Sequence, residues 1–221
     1  MISSARTVLA LITLRALTTT AIALIAATVW EPSLAAAQSE SSTVAASGEQ
    51  IESGRVRLPS GAEVVYRIRL LPLSSFPGLP PVVVAQLNER NCMVPQTYEA
   101  HAPENVFHGA LERKGSDDWA VLCSVNGITT LYVFFQSQFT APMALRHQHN
   151  TEWLGSEVLG AYGSAWGIAL RHPSQFPIAR SSAFADRSNL DHDGIEDAFI
   201  EKSSTTHYFQ NGSWITLESP N

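Results

Sequence analysis

Apolar and polar residues alternate along 63–71, with Val64, Tyr66, Ile68 and Leu70 on one parity and Val65, Arg67 and Arg69 on the other. Period two marks a half-buried strand, and with Arg55 to Leu58 and the Pro59-Ser60-Gly61 turn it predicts a hairpin. Pro77-Gly78 and Pro80-Pro81 then break the chain, and Val82 to Asn91 carries Val83, Val84 and Leu87 at helical spacing behind prolines, which predicts a short helix. Trp119 to Val125 and Ile128 to Phe135 flank Asn126-Gly127, the dipeptide that best suits a two-residue hairpin turn. Ser164 to Arg171, with Ser164 as N-cap and Pro173 as stop, predicts a second short helix. Tyr208, Phe209 and Trp214 flank Asn211-Gly212 as cross-strand core pairs of another hairpin. The predicted fold class is therefore α+β, mostly antiparallel β hairpins with one or two short helices in a single domain, 55–221.

Residues 1–37 stand apart from this pattern. Arg6 and Arg15 precede the mainly apolar run Ala16 to Trp30, and Glu31-Pro32 leads to the small residues Ala35-Ala36-Ala37. That order reads as a secretory signal peptide cut after Ala37, with an uncleaved anchor as the alternative. The stretch 38–54 is rich in Ser, Ala, Glu and Gly and reads as a flexible leader. Losing Arg6, Arg15 and Glu31 takes the formal charge from −6 to −7, and an acidic chain without a basic cluster is poorly suited to nucleic acid. No later segment is long and apolar enough to span a bilayer. The two cysteines, Cys92 and Cys123, lie in the exported portion, where an oxidising compartment lets them pair. Trp119, Val121 and Val125 place Cys123 on the apolar side of its strand. The protein is expected outside the cytoplasm, secreted or periplasmic.

Candidate chemistry gathers in two places. From Asn189 the chain reads Asn189, Asp191 and Asp193 at alternate positions, then Gly194, Ile195, Glu196 and Asp197. Such a loop suits a hard cation, because Ca²⁺ takes six to eight oxygens and a glycine permits the turn that folds them round one centre. Ile200 stands where an EF-hand has its bidentate glutamate, and strand rather than helix follows. Over about 30 residues the stretch resembles instead the calcium loop of FG-GAP or VCBS-type repeats. The resemblance implies Ca²⁺ held by Asp191, Asp193, the Ile195 carbonyl and Asp197, with Asn189 as a further ligand. An Asx-rich turn without metal is the competing reading. Aspartate-led strands with Asn-Gly turns occur twice, but their offsets differ, 79 residues by the aspartates and 85 by the turns. The chain is also too short for a complete propeller.

The second place is His147-Gln148-His149 with Glu152. On a strand the two histidines share a face, as in many metal pairs, although Ala141 and the early Glu152 depart from the cupin spacing. The adjacent Asp117 and Asp118 point apart at a strand entry and read as turn residues. These observations describe an exported, non-catalytic, disulfide-bonded β-rich module with one calcium loop and a protein or carbohydrate ligand. The alternative is a metal-dependent hydrolase using His147, His149, Glu152 and His172.

Overall fold

The computed structural model describes residues 48–156, 160–176 and 190–218. The signal peptide 1–37, the first part of the leader, most of the serine-rich connection and Asn189 lie outside them. In chain order the strands are β1 (Gln50–Arg57) and β2 (Glu63–Leu71), followed by the helix α1 (Pro81–Glu89). Then come β3 (Val94–Pro95), β4 (Val106–Gly109), β5 (Asp118–Val125), β6 (Ile128–Phe134) and β7 (Met143–His149). The last six are β8 (Leu154–Ser156), β9 (Tyr162–Ser164), β10 (Trp166–Arg171), β11 (Gly194–Phe199), β12 (Ser203–Gln210) and β13 (Ser213–Glu218). Among the described residues α1 is the one α-helix, so the protein is mostly β rather than α+β.

Three sheets result. The first has the order β1-β2-β9-β8 with β3 on β2, the second β4-β5-β6-β7 and the third β10-β11-β12-β13. Neighbours are antiparallel except β2 and β9, which run parallel. The hairpin β1–β2 takes in Gln50 to Gly54, so ordered pairing begins inside the stretch read as a leader.

The middle sheet is covered on both faces. On one side Trp119, Val121, Cys123 and Phe134 pack against α1 and the chain before it, through Leu73, Phe76, Leu79, Val83 and Leu87. On the other, Ala120, Leu122, Leu131 and Val133 meet Trp166, Ile168 and Ile195 of the third sheet. Burial on both faces is why β5 reads as an unbroken apolar run instead of an alternation. A disulfide joins Cys92, after α1, to Cys123 on β5, with Cα atoms 5.2 Å apart. The Asn-Gly turns close both predicted hairpins with positive φ at each residue, 50° and 78° at Asn126-Gly127 and 53° and 80° at Asn211-Gly212.

Ser164–Arg171 is not a helix. Trp166 and Ile168 point into the core two residues apart, and the segment pairs with β11 in the register Ile168↔Asp197. The partner strand lies more than twenty residues downstream, beyond the reach of the capping signals that favoured a helix. The proposed repeat also dissolves: Asp118 opens β5, whereas Asp197 sits in β11, one strand before the β12–β13 hairpin.

Candidate functional site

The calcium candidates are distributed over separate partners. Asp191 is exposed, and its N–H faces the Tyr208 hydroxyl at 3.3 Å. Asp193 clamps the end of β4: its Oδ2 accepts from the Ala110 N–H at 3.0 Å, its own N–H donates to the Ala110 carbonyl at 2.8 Å, and Oδ1 lies 2.8 Å from His172 Nδ1. Ile195 is fully buried in a strand paired on both sides, which directs its carbonyl along the sheet. Asn189 lies outside the described residues.

Asp197, 2 % exposed, is the centre of a different arrangement. Its carboxylate accepts from Trp166 Nε1 at 2.7 Å, Arg146 Nη1 at 2.9 Å and His207 Nε2 at 3.1 Å. An ionised carboxylate only accepts, so His207 carries its proton on Nε2 here. Burial pushes the Asp197 pKa up, but the His207 hydrogen bond and the Arg146 charge outweigh it, and the net direction is down. The Arg146 guanidinium stacks 4.4 Å over Trp153.

Part of the candidate set lies in an extended strand. The candidates Ile195 and Asp197 lie in β11, and at about 3.3 Å per residue two steps separate them by roughly 6.6 Å along the strand. Gly194 also serves another purpose. Its φ is not positive, and a Cβ there would stand 2.8 Å from the His207 carbonyl oxygen, so the glycine lets β12 approach rather than turning a loop.

The histidine cluster fares similarly. His147 and His149 share the exposed face of β7, as their spacing predicts, but His172 is engaged by Asp193. Among the described residues no three of His, Cys, Asp and Glu come together to hold a metal ion. The Asp117-Asp118 pair does split as turn chemistry requires. Asp118 is fully buried and accepts from the N–H groups of Leu111, Glu112 and Gln136 at 2.8, 2.7 and 2.7 Å and from Ser116 Oγ at 2.5 Å. Asp117 pairs at the surface with His108, which stacks on Trp119.

An open groove of about 750 Å³ lies between the start of β1 and the β5–β6 turn. Its floor is Leu70, Cys92 and Met93, and the side-chain amides of Gln50, Asn88, Asn91 and Asn126 stand around it. Glu52 completes one wall, fixed by a 2.6 Å hydrogen bond from Asn150 Nδ2, which also donates to Ser124 Oγ at 2.8 Å. Sequence reasoning did not find this lining. By sequence Asn88 and Asn91 belong to the end of a helix and Gln50 and Glu52 to the leader, and nothing local joins them to Asn126.

Compared with family models, curated proteins and solved structures, the chain matches none. Among the described residues no helix is long and apolar enough to cross a membrane.

Proposed function

We propose that this chain is an exported, non-catalytic binding module, secreted or periplasmic, whose β scaffold holds an extended peptide in the groove beside β1. The observation that carries the reading is the groove's lining. The side-chain amides of Gln50, Asn88, Asn91 and Asn126 border it, and none of the four spends its hydrogen bonds on another described side chain. Each amide offers donors and an acceptor, the complement of a peptide group, while Leu70 and Met93 supply an apolar floor for side chains. The charged pairs elsewhere serve the fold: Asp197 ties three strands and Asp193 clamps β4, which favours binding over chemistry. The leader-like residues 1–37 support export, and the Cys92–Cys123 disulfide is compatible with it.

The test is to probe parallel arrays of short peptides and of neutral oligosaccharides with the protein and its Gln50→Ala/Asn88→Ala variant. Both positions are exposed, and alanine suits the helix at 88, so the variant folds. Peptide capture should weaken about tenfold when the two amides are lost, at roughly 0.5–1.5 kcal/mol per hydrogen bond. Peptide capture indifferent to the double substitution, or capture of oligosaccharides alone, overturns the reading.

A further inference from the structure

The outward face of the β1–β2 hairpin carries charge that neither the Asp197 network nor the groove uses. Arg67 and Arg69 lie two positions apart on β2, so both side chains leave the sheet on the same face, about 6.6 Å apart along the strand. With Glu49, Gln96, Thr97 and Tyr98 they line a cleft of about 290 Å³.

The neutral polar groups of this cleft are already spent. Gln96 Nε2 donates to the carbonyls of Val94 and Glu104 at 3.2 and 3.1 Å, and its Oε1 accepts from the Glu104 N–H at 2.9 Å. Thr97 bonds the Glu104 carboxylate through both its N–H and its hydroxyl. Tyr98 is fixed by a 2.8 Å bond from its N–H to the Ser164 carbonyl, and it packs so closely on β9 that a Cβ at Gly163 would stand 2.7 Å from its own. Burial and the Glu201 and Glu99 carboxylates push the Tyr98 phenol up to about 12, so it is neutral.

The guanidiniums are not spent. Arg67 is exposed and has no hydrogen-bond or ion-pair partner among the described residues. Arg69 uses Nη2 on the Ala100 carbonyl at 3.3 Å, but its Nε–H is buried without an acceptor. Glu49 Oε1 is 3.9 Å from that nitrogen, near enough to attract and too far to accept a hydrogen bond. That nitrogen is closed to solvent, so a ligand in the cleft meets the accessible part of the Arg69 guanidinium and the exposed Arg67. Of the charged residues lining the cleft two are guanidiniums and one, Glu49, is a carboxylate, with Glu104 behind Thr97 and Glu201 and Glu99 beside Tyr98.

We propose that this cleft binds a small monocarboxylate, gripped by the guanidiniums of Arg67 and Arg69. A planar carboxylate matches the guanidinium fork in shape, and the carboxylates around the cleft oppose a phosphate dianion more than a monoanion. Glu49 is the internal competitor for the same guanidinium. Its removal therefore strengthens binding.

The experiment titrates acetate, glucuronate, glucose and inorganic phosphate calorimetrically, at low ionic strength, into the wild-type protein and the Arg67→Gln, Arg69→Gln and Glu49→Gln variants. Circular dichroism checks the fold of each, and the exposed Arg67→Gln keeps the test open if Arg69→Gln unfolds. Acetate and glucuronate should bind saturably and glucose should not. Each arginine substitution should weaken binding about tenfold or more, as expected for a lost charge-assisted hydrogen bond, and Glu49→Gln should tighten it. No saturable carboxylate binding, equal binding of glucose, tighter binding of phosphate, or a Glu49→Gln variant that binds no better than wild type overturns the proposal.

Discussion

Replacing Asp197 by asparagine should be among the most damaging single-atom changes in this protein. The carboxylate is almost fully buried and takes three hydrogen bonds, from Arg146, Trp166 and His207. Asparagine removes the charge and turns an N–H₂ donor toward donors. Arg146 then loses its counter-charge while its side chain, 32 % exposed, stays between Trp153 and Trp166. Removing one partner of a buried ion pair costs about 3–5 kcal/mol, and the partial exposure of Arg146 favours the lower end. A loss of about 3 kcal/mol corresponds to roughly 6–12 °C in Tm for a chain of this size.

Urea unfolding at neutral and at acid pH measures the loss and its origin. The folded pKa of Asp197 lies below its unfolded value, so the carboxylate stabilises the fold above the ordinary carboxylate range, about 3.9. That stability disappears as the pH falls through the lower, folded value. The gap between wild type and Asp197→Asn should therefore be widest at neutral pH and close in acid. It should also be the same in Ca²⁺ and in EDTA, since a calcium ligand would make only the wild type respond to the ion. A variant as stable as wild type, a gap unchanged in acid, or a calcium-dependent gap refutes the reasoning.

Three further outcomes are expected. The Cys92→Ala/Cys123→Ala variant, which opens a loop with a sequence separation of 31, should lose about 3–4 kcal/mol in denaturant unfolding, and reductant should reproduce most of that loss in the wild type. Gly194→Ala should lower stability by about 1–3 kcal/mol, because the clash is with the His207 backbone oxygen rather than a movable side chain; an unchanged urea midpoint contradicts it. The neighbours Asp117 and Asp118 should separate sharply in thermal unfolding. Asp118→Ala strands three N–H groups, that of Leu111 buried, and should cost about 2–3 kcal/mol, whereas Asp117→Asn at the surface should change stability by no more than about 0.5 kcal/mol.

The sequence carried the local part of this fold. Val64 to Leu70 alternate because one face of β2 is core, the Asn-Gly turns adopt the positive φ that a two-residue turn demands, and α1 begins behind the prolines that announce it. Ser164–Arg171 misleads because its helix signals are local while its strand partner is not. The aspartates are ambiguous for a related reason. Acidic residues at alternate positions describe both a cation loop and a strand whose inward face is polar, since both place every second side chain on one side. The partners that Asp197 has, Arg146 on β7 and His207 on β12, are set by tertiary structure and are not legible locally.

The same logic extends to the buried polar hubs between strands. Asp197 joins β7, β10 and β12; Asn105 joins the Pro95 carbonyl to Trp166 and Ile168; Asn150 joins β1, β5 and β6 through Glu52, Ser124 and Thr129. Each hub sits where different strands or sheets meet, because backbone pairing within a sheet leaves such junctions to side chains. Apolar packing on both faces of β5 holds the layers together without fixing their angle, and the hubs fix it. The wall of the proposed peptide groove is one of these junctions. Glu52 lines the groove and is at the same time the β1 end of the Asn150 hub, so a ligand that draws on its free oxygen bears on the joint between the first and second sheets.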